Sequence, residues 1–387
     1  MILQLPRLED LPDPAGRRVL LRADLNVPLR SSSSGATEVD DDFRLRAALP
    51  TIEWLVDRGA KVTACSHLGR PHGEPDPRLA MEPVRQRLAE LAPGVELMEN
   101  LRFDPGEEAN DPAFVARLVE GQDLYVDDAF GSAHRAHASI VGPPAHLPSA
   151  AGRLLEREVE ALAGLLDHPA RPFVAVLGGA KVSDKLGLLR ALLERADVLL
   201  VGGGMCFTFL AALGHDVGDS LVEPEQEDAC RRLLDSGRRV VVPTDVVALA
   251  PGGTLGVGKG GSGKVRTVGR TIPSGWKGAD IGPGSAAEFA DEIRPAGTVL
   301  WNGPMGVAED DRFVAGTRAV AEAVAECRGY TVVGGGDSAS ALAHLGLADA
   351  VDHLSTGGGA ALELLERGDL PGLAALRAAS NAPGREP

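Results

Sequence analysis

Glycine-rich stretches follow strand-like runs in the second half of the chain, in a pattern that suits a bound phosphate. Residues Val332–Ser340 read VVGGGDSAS, two β-branched residues followed by three glycines, an Asp and small residues. Glycine permits a tight turn and a close approach of backbone N–H groups to a ligand, and a helix N-terminus adds unpaired donors with partial positive charge. Asp337 stands where a carboxylate would hold a magnesium ion on that phosphate. A single turn of this kind is more often a plain strand–helix junction with an Asp cap.

The same pattern occurs three more times in this half of the chain. The repeats are LGGAKVSDK at Leu177–Lys185, VGGGM at Val201–Met205 and STGGGA at Ser355–Ala360. In an open parallel sheet such turns gather at the carboxyl edge of the strands, where ligands bind. Four turns together therefore predict a phosphate-bearing nucleotide as the ligand of this half.

Polar residues of the first half lie where strand-like runs end, so a parallel sheet would bring them to one edge. They are Asp24 and Asn26, then His67 and Arg70, then Arg102, and finally His134, Arg135 and His137. The planar fork of arginine matches phosphate and carboxylate, and several arginines at consecutive strand ends favour a pocket for an anionic substrate. A metal site at His134 and His137 is the weaker alternative, because no third ligand with suitable spacing is evident.

Strands and helices alternate along the first half, which predicts a parallel sheet covered on both faces. The predicted strands are Arg18–Asn26, Lys61–Ser66, Val95–Leu101 and Asp123–Val126, and the predicted helices are Arg44–Arg58, Pro83–Leu91 and one that Asp111 and Pro112 begin.

The second half predicts another doubly wound sheet. Its predicted strands are Phe173–Leu177, Asp197–Val201, Arg239–Val242, Thr298–Trp301, Tyr330–Val333 and Ala350–Leu354. Between the halves, Ala150–Leu166 favours one long helix with no strand in it, which suits a connector between two sheets. The segment GKGGSGK at Gly258–Lys264 resembles a phosphate loop, but Val265 replaces the Ser or Thr that would bind magnesium, and we predict a glycine-rich hairpin or surface loop.

Charge and composition narrow the class of protein. A net charge of −16 argues against nonspecific binding to nucleic acid or to anionic lipid. The four cysteines show no metal-ligand spacing, and the N-terminus carries acids where a secretion signal would be apolar, so we expect a cytoplasmic protein with free thiols. The longest uncharged stretch, Val198–Gly214, is too short for a membrane span.

The chain resembles phosphoglycerate kinase over nearly its full length. The motifs that carry the resemblance occur in the family's order, and each is long and unusual in composition. They are Arg22–Pro28, Ser66–Pro71, Glu99–Phe103, Asp128–Ser139, Gly178–Lys185, Trp301–Val307, Gly334–Ser338 and Ser355–Ala360.

The resemblance implies an α/β protein of two Rossmann-like, doubly wound parallel-sheet domains that face each other across a cleft and are joined by a hinge helix. Residues 1–150, with 371–387 returning to them, would form the domain for 3-phosphoglycerate. Residues 151–167 would be the hinge helix, and residues 168–370 would bind magnesium ATP or ADP. We expect a monomer that binds neither nucleic acid nor membrane.

The resemblance also assigns roles residue by residue. The substrate site would comprise Asp24, Asn26, Arg44, His67, Arg70, Arg102 and Arg135. The nucleotide site would comprise Gly179, Ala180, Lys185, Gly203, Gly204, Asn302, Pro304, Glu309, Gly335, Gly336, Asp337 and Ser338, with Asp337 as the metal ligand. The catalytic groups at the transferred phosphoryl would be Arg44, Lys181, Gly336 and Gly359.

The implied reaction is the reversible transfer of a phosphoryl group between 1,3-bisphosphoglycerate and ADP, a step of glycolysis and gluconeogenesis. The nucleophile is a carboxylate in one direction and the phosphate of ADP in the other. Both groups are already ionised near neutral pH, so the protein needs cations and N–H donors rather than a general base. Two alternatives remain. One is a two-domain transport receptor, and the other is a catalytically silent homologue that acts as a binding protein.

Overall fold

The structure is a computed structural model that describes residues 4–31 and 37–380. The chain divides into two compact units, of which the first runs to Ala163 and resumes at Gly368, and the second comprises Gly164–Arg367. The predicted return of the chain is described from Pro371 to Ser380, and residues 381–387 lie outside the described part. No helix in the described ranges combines the length and apolar character needed to cross a bilayer.

The first unit is built on a parallel sheet of five strands in the order β5-β4-β1-β6-β7. Its elements are β1 Arg18–Ala23, β2 Leu29–Ser31, β3 Thr37–Val39, α1 Phe43–Asp57, β4 Lys61–Cys65, α2 Glu82–Leu91, β5 Glu96–Leu97, α3 Pro105–Glu108, α4 Pro112–Val119, β6 Leu124–Asp128, α5 Ala138–Val141, β7 Ser149–Ala151 and α6 Arg153–Asp167, within which the first unit ends.

The second unit is built on a parallel sheet of six strands in the order β10-β9-β8-β14-β15-β16. Its elements are β8 Phe173–Leu177, α7 Leu186–Arg195, β9 Val198–Val201, α8 Cys206–Ala212, α9 Glu227–Leu234, β10 Arg239–Val241, β11 Asp245–Leu249, β12 Val265–Gly269, β13 Lys277–Ile281, α10 Pro283–Ile293, β14 Thr298–Asn302, α11 Ala315–Glu326, β15 Tyr330–Gly334, α12 Gly336–Leu345, β16 His353–Leu354 and α13 Gly359–Arg367. Helix α14, Pro371–Ser380, belongs to the first unit.

Both sheets confirm the predicted doubly wound α/β class. In each, the order reverses beside the first strand of the unit, between β1 and β6 and between β8 and β14. This is the strand order of dinucleotide-binding folds, and ligands of such sheets bind at the carboxyl ends of the strands on either side of the reversal.

Two predictions about single elements were wrong, and one small sheet was not predicted. The predicted strand Val95–Leu101 is reduced to Glu96–Leu97, because its end turns into the 3₁₀ helix Leu101–Phe103, whose first N–H groups Asn100 caps. The connector contains a strand, Ser149–Ala151, which pairs with β6. The three-stranded antiparallel sheet β12-β11-β13, which interrupts the alternation in the second unit, was not predicted as a sheet, although a hairpin or surface loop was predicted between β11 and β12.

Helix α6 begins later than predicted because side chains of the first unit fix its N-terminus. Asp128 Oδ1 accepts hydrogen bonds from Leu154 N at 2.8 Å and Leu155 N at 3.1 Å. Thr51 Oγ1 accepts one from Arg153 N at 2.8 Å. These acceptors satisfy N–H groups that have no partner inside the helix.

We expect the second unit to depend on burial of the apolar strand residues. Leu200 on β9 is fully buried in the core, whereas Leu213 is 45% exposed. Leu200→Ala should lower the free energy of unfolding of this unit by about 2–5 kcal/mol, because it removes buried methyl groups and leaves a cavity. Leu213→Ala, as the matched control, should change it by less than about 0.5 kcal/mol. Denaturant unfolding followed by circular dichroism measures both values, and similar losses would contradict this core assignment.

Candidate active site

The predicted glycine turns of the second unit lie at one edge of its sheet. Strands β8, β9, β15 and β16 belong to the same parallel sheet, and each ends directly before one of the four turns. The turns lead to α7, α8, α12 and α13, so the N-termini of the helices and the backbone N–H groups of the turns meet at the carboxyl edge. The clustering predicted from the sequence is therefore present, and it forms a surface rich in donors.

Two of these turns pack on the loop after β14 through backbone contacts. Gly179 N donates to Pro304 O at 3.0 Å, and Gly203 N donates to Met305 O at 3.0 Å. Gly203 has a φ of +64°, and a Cβ there would overlap backbone atoms of Gly179 and Pro304. Glycine is needed at this position for both reasons. The residues predicted for the adenine side are thus brought together. Gly204 likewise packs closely against the backbone of Ala180, where a Cβ would come too near.

Lys185 joins the carboxyl ends of the two central strands. Its Nζ donates to Gly178 O at 2.7 Å, to Asn302 Oδ1 at 2.6 Å and to Asn302 O at 3.2 Å. Burial lowers the pKa of Lys185 to about 8, against the opposing charges of Asp337 and Asp184. Because Gly178 follows β8 and Asn302 ends β14, the amine lies at the reversal of strand order.

Asn302 and Ser338 connect these turns to the start of α12. Asn302 Nδ2 donates to Gly334 O at 2.8 Å, and Ser338 Oγ accepts Gly303 N at 2.7 Å. Both side chains are buried, so what Ser338 offers a ligand is its backbone N–H in the first turn of α12. Gly335 precedes this helix with a φ of +93°, which favours glycine.

Asp337 presents an exposed carboxylate in the first turn of α12. Among residues 4–31 and 37–380, no group of three or more His, Cys, Asp or Glu side chains suits a metal ion. Mg²⁺ is commonly held by one or two carboxylates together with substrate phosphates and waters. The exposed carboxylate of Asp337, beside the N–H groups of α12, fits a magnesium ion that is held jointly by the protein and a phosphate. It does not fit a metal ion whose ligands all come from the protein.

Lys181 is exposed on a loop that a buried carboxylate holds in place. Glu223 accepts hydrogen bonds from Val182 N at 2.6 Å, Ser183 N at 3.2 Å and Ser183 Oγ at 2.5 Å. Burial raises the pKa of Glu223, but the hydrogen bonds from Ser183 and Val182 and the charge of Lys181 outweigh it, and the pKa is lowered. The ionised carboxylate therefore fixes the backbone next to Lys181.

Glu309, predicted at the ribose, is exposed beside the glycine-rich segment that resembles a phosphate loop. Gly258 N donates to Glu309 O at 2.7 Å. The segment connects the antiparallel strands β11 and β12, so it is a hairpin loop, as predicted, and lacks the strand-to-helix form of a phosphate loop. Arg312 holds it by donating to Thr254 O and Ser262 O, both at 2.9 Å.

In the first unit, loops that follow three strands of the sheet are hydrogen-bonded to one another. Asp24 is buried and forms an ion pair with Arg44 of α1. Asn26 Oδ1 accepts Gly69 N at 2.9 Å, and Arg102 Nη1 donates to Gly69 O at 2.9 Å. The structure therefore places these predicted substrate residues at the same edge of the sheet.

The remaining predicted substrate residues differ in exposure. His67 is 6% exposed, whereas Arg70 and Arg135 are exposed to solvent. Burial lowers the pKa of Arg102, and the charge of Arg135 contributes in the same direction. The concentration of positive charge favours binding of an anion here.

Sequence reasoning missed the buried residues that hold these loops. A charge inside an otherwise apolar strand, such as Arg22 in RVLLRA, is the signal that could have been used. The missed residues are Arg22, Glu107 and Ser139 in the first unit, and Glu223 and Asp280 in the second.

Comparisons with known proteins agree with this geometry. The family model described as phosphoglycerate kinase matches residues 8–97 and 92–368. A phosphoglycerate kinase of Frankia casuarinae is 52% identical over 400 residues, which cover 94% of this chain and 97% of that protein. One of Rubrobacter xylanophilus is 52% identical over 386 residues, which cover 93% of this chain and 95% of that protein.

Solved structures of phosphoglycerate kinases resemble the whole chain. The structure from Coxiella burnetii has a TM-score of 0.85 at 37% identity, and it covers 97% of this chain and 99% of its own. The structure from Pyrococcus horikoshii has a TM-score of 0.82 at 30% identity, with the same coverage of both chains.

The environment of Lys185 predicts an unusual titration in the ligand-free chain. Its amine should lose a proton near pH 8 rather than near the ordinary value of 10.5, because it is buried among neutral acceptors. Between these values the unfolded chain binds more protons, so this residue should make the free energy of unfolding increase with pH.

An NMR titration of the Lys185 side chain, assigned with Lys185→Met, measures this midpoint. Asp337→Asn should lower the midpoint further, because the charge of Asp337 favours the ammonium form. A midpoint near 10.5 would contradict the buried position of the amine.

Proposed function

The chain belongs to the phosphoglycerate kinase family, phosphotransferases with a carboxyl group as acceptor, and from this premise we propose its reaction. It transfers a phosphoryl group reversibly between 1,3-bisphosphoglycerate and ADP, giving 3-phosphoglycerate and ATP, with magnesium bound to the nucleotide. The proposal rests on the carboxyl edges of the two sheets. The edge in the first unit is rich in buried and exposed cations, and the edge in the second unit is rich in glycine N–H groups.

The first unit would bind 3-phosphoglycerate, which carries a phosphate and a carboxylate. Arg102 and Arg135 supply positive charge near each other, and Asn26 helps to fix Gly69, whose carbonyl oxygen accepts a hydrogen bond from Arg102. Arg44 is held in place by Asp24. Arginine suits both anionic groups of the ligand because its fork donates two parallel hydrogen bonds.

The second unit would bind the nucleotide. The turns at Gly179 and Gly203 offer a surface without side chains for the adenine, and Glu309 would accept hydrogen bonds from the ribose. The N-terminal N–H groups of α12 and α13, at Gly336 and Gly359, would receive phosphate oxygens.

Catalysis would rest on alignment and charge. The transferred phosphoryl group carries charge on its equatorial oxygens, and cations with N–H donors stabilise it without a general base. We assign this role to Arg44, Lys181 and the N–H groups of Gly336 and Gly359. Magnesium bound with the nucleotide would supply further positive charge to the phosphates, and Asp337 would hold it.

A coupled assay of ATP-dependent formation of 1,3-bisphosphoglycerate tests the reaction. Turnover that requires both 3-phosphoglycerate and ATP supports the proposal. Binding of both compounds without turnover would instead show a silent homologue that acts as a binding protein.

We also infer a cytoplasmic monomer, although nothing in the proposed chemistry depends on it. The four cysteines are free thiols, which suits a reducing compartment. One copy of the chain contains both proposed binding edges, so no partner subunit is required. Light scattering coupled to size-exclusion chromatography measures the mass in solution.

Removal of the proposed magnesium ligand should affect the nucleotide alone. Asp337→Ala should raise the magnesium concentration needed for half-maximal turnover, while the dissociation constant for 3-phosphoglycerate stays unchanged, because Asp337 belongs to the second unit. Asp349→Ala, an exposed carboxylate of the same unit, serves as the control. Unchanged magnesium dependence in Asp337→Ala would remove this residue from the metal site.

Substitutions should separate binding from transfer. Lys181→Ala should lower kcat on the order of a thousandfold, because its charge acts mainly in the transition state. Arg135→Ala should chiefly raise the KM for 3-phosphoglycerate, because it is expected at the resting substrate. Lys259→Ala removes an exposed lysine of the same unit and should change neither constant.

Steady-state kinetics of these variants, with Arg44→Ala and Arg102→Ala beside them, measure the separation. Arg44→Ala is expected to behave like Lys181→Ala, and Arg102→Ala like Arg135→Ala. A Lys181→Ala variant that keeps its kcat and only raises the KM for ATP would make Lys181 a nucleotide-binding residue.

A further inference from the structure

Arg22 lies near the carboxyl end of β1, beside the edge proposed to bind the anionic substrate, and is 1% exposed. Its Nη1 donates to Ala23 O at 2.6 Å, and its Nε donates to Ser139 Oγ at 2.9 Å. Its Nη2 lies 3.1 Å from His67 Nδ1. A guanidinium this deeply buried is costly unless its donors are satisfied, so these contacts fix the side chain.

A buried carboxylate balances Arg22 through Ser139. Ser139 Oγ donates to Glu107 Oε1 at 2.6 Å, and Ser139 N donates to Glu107 Oε2 at 2.9 Å. Because the hydroxyl proton points to Glu107, which is 0% exposed, a lone pair of Ser139 faces Arg22. The donor and the acceptor of each hydrogen bond from Glu107 through Ser139 to Arg22 are therefore fixed, and the guanidinium is held against the imidazole of His67.

The contact with Arg22 decides where His67 carries its proton. A guanidinium has donors and no acceptor, so the Nδ1 atom that faces it must be the acceptor. The ring proton of neutral His67 is then on Nε2. We propose that Arg22 fixes His67 as the tautomer protonated at Nε2, so that His67 serves the anionic substrate as a neutral hydrogen-bond donor and Arg22 is its positioning residue.

The groups around the imidazole also keep it neutral. Burial lowers the pKa of His67 well below its usual range, and the charges of Arg22, Arg102, His137 and Arg44 act in the same direction. An ordinary histidine changes its charge near pH 6.5. His67 instead offers the same donor throughout the neutral range, and this inference rests on the proposed function because it takes the ligand to be 3-phosphoglycerate.

The tautomer is measured directly by two-bond ¹H–¹⁵N NMR spectra of the full-length, ligand-free chain. His67→Gln identifies the signals. We expect an unprotonated Nδ1 and a protonated Nε2 for His67, with no change between about pH 6 and pH 8. A proton on Nδ1, or a ring that titrates as a free histidine, would overturn the inference.

Two amide variants test whether the donor at Nε2 binds the ligand. The amide nitrogen of Gln reaches the position of Nε2, whereas that of Asn reaches the position of Nδ1. His67→Asn should therefore weaken binding of 3-phosphoglycerate about tenfold more than His67→Gln does, the size expected for one hydrogen bond to a charged ligand. Calorimetry on the nucleotide-free chain measures both dissociation constants, and equal losses would overturn the proposal.

The role of Arg22 is tested in a variant that removes both buried charges. Arg22→Met alone would leave Glu107 buried without its counter-charge, so Glu107→Gln is combined with it. In the double variant His67 should show both tautomers, and the KM for 3-phosphoglycerate should rise while the KM for ATP stays the same. An unchanged tautomer with an unchanged KM would overturn the role of Arg22. Ser139→Ala removes only the Oγ that holds the guanidinium. It should change the His67 tautomer and the KM for 3-phosphoglycerate in the same direction, but by less.

The NMR result and the assay separate this inference from the proposed function. A wild-type chain that turns over while His67 titrates as a free histidine overturns this inference alone. A chain with His67 locked at Nε2 and no turnover overturns the proposed function instead.

Discussion

The requirement that a partly or fully buried cation find enough oxygen or nitrogen acceptors organises the carboxyl edge of both sheets. In the second unit the cation is Lys185, and its three short contacts join the loop after β8 to the end of β14. In the first unit it is Arg22, which joins β1 to the loop that carries His67 and to Ser139 of α5. Both lie beside the reversal of strand order, where an open α/β sheet leaves room for a ligand.

The two cations are stabilised differently, and the difference affects what each can do. Lys185 is held by neutral oxygens, so burial lowers its pKa to about 8, and a phosphate nearby would favour its charged form. Arg22 has an ionised partner, Glu107, through Ser139, and a guanidinium does not lose its proton in proteins. Lys185 is therefore suited to respond to a ligand, whereas Arg22 is suited to keep its neighbour in one state.

The sequence was sufficient to predict features that follow from residue patterns, such as turns and strand ends. It was insufficient to predict contacts of buried residues that are distant in sequence. Glycine turns such as Val332–Ser340 and arginines at strand ends predicted that these residues gather at one edge of each sheet, because parallel strands bring such residues together. Glu223 was missed because its sequence neighbours show no motif, and its role follows from a contact 40 residues away, with Ser183. The antiparallel sheet β12-β11-β13 was missed because each of its strands has only five residues and β12 buries none of them, which gives little periodicity.

Buried carboxylates show that the loops of the second unit are positioned at a cost to stability. Burial raises the pKa of Asp280 to about 7, even though Gly316 N and Ile281 N donate to it. A carboxyl group whose pKa rises on folding makes the free energy of unfolding fall as pH increases from about 4 to about 7, since the folded chain then binds the extra proton. Asp280 nevertheless packs against Gly306 and Gly316, on either side of Glu309. Its position is therefore better explained by the need to hold the loop that carries Glu309 than by stability of the fold.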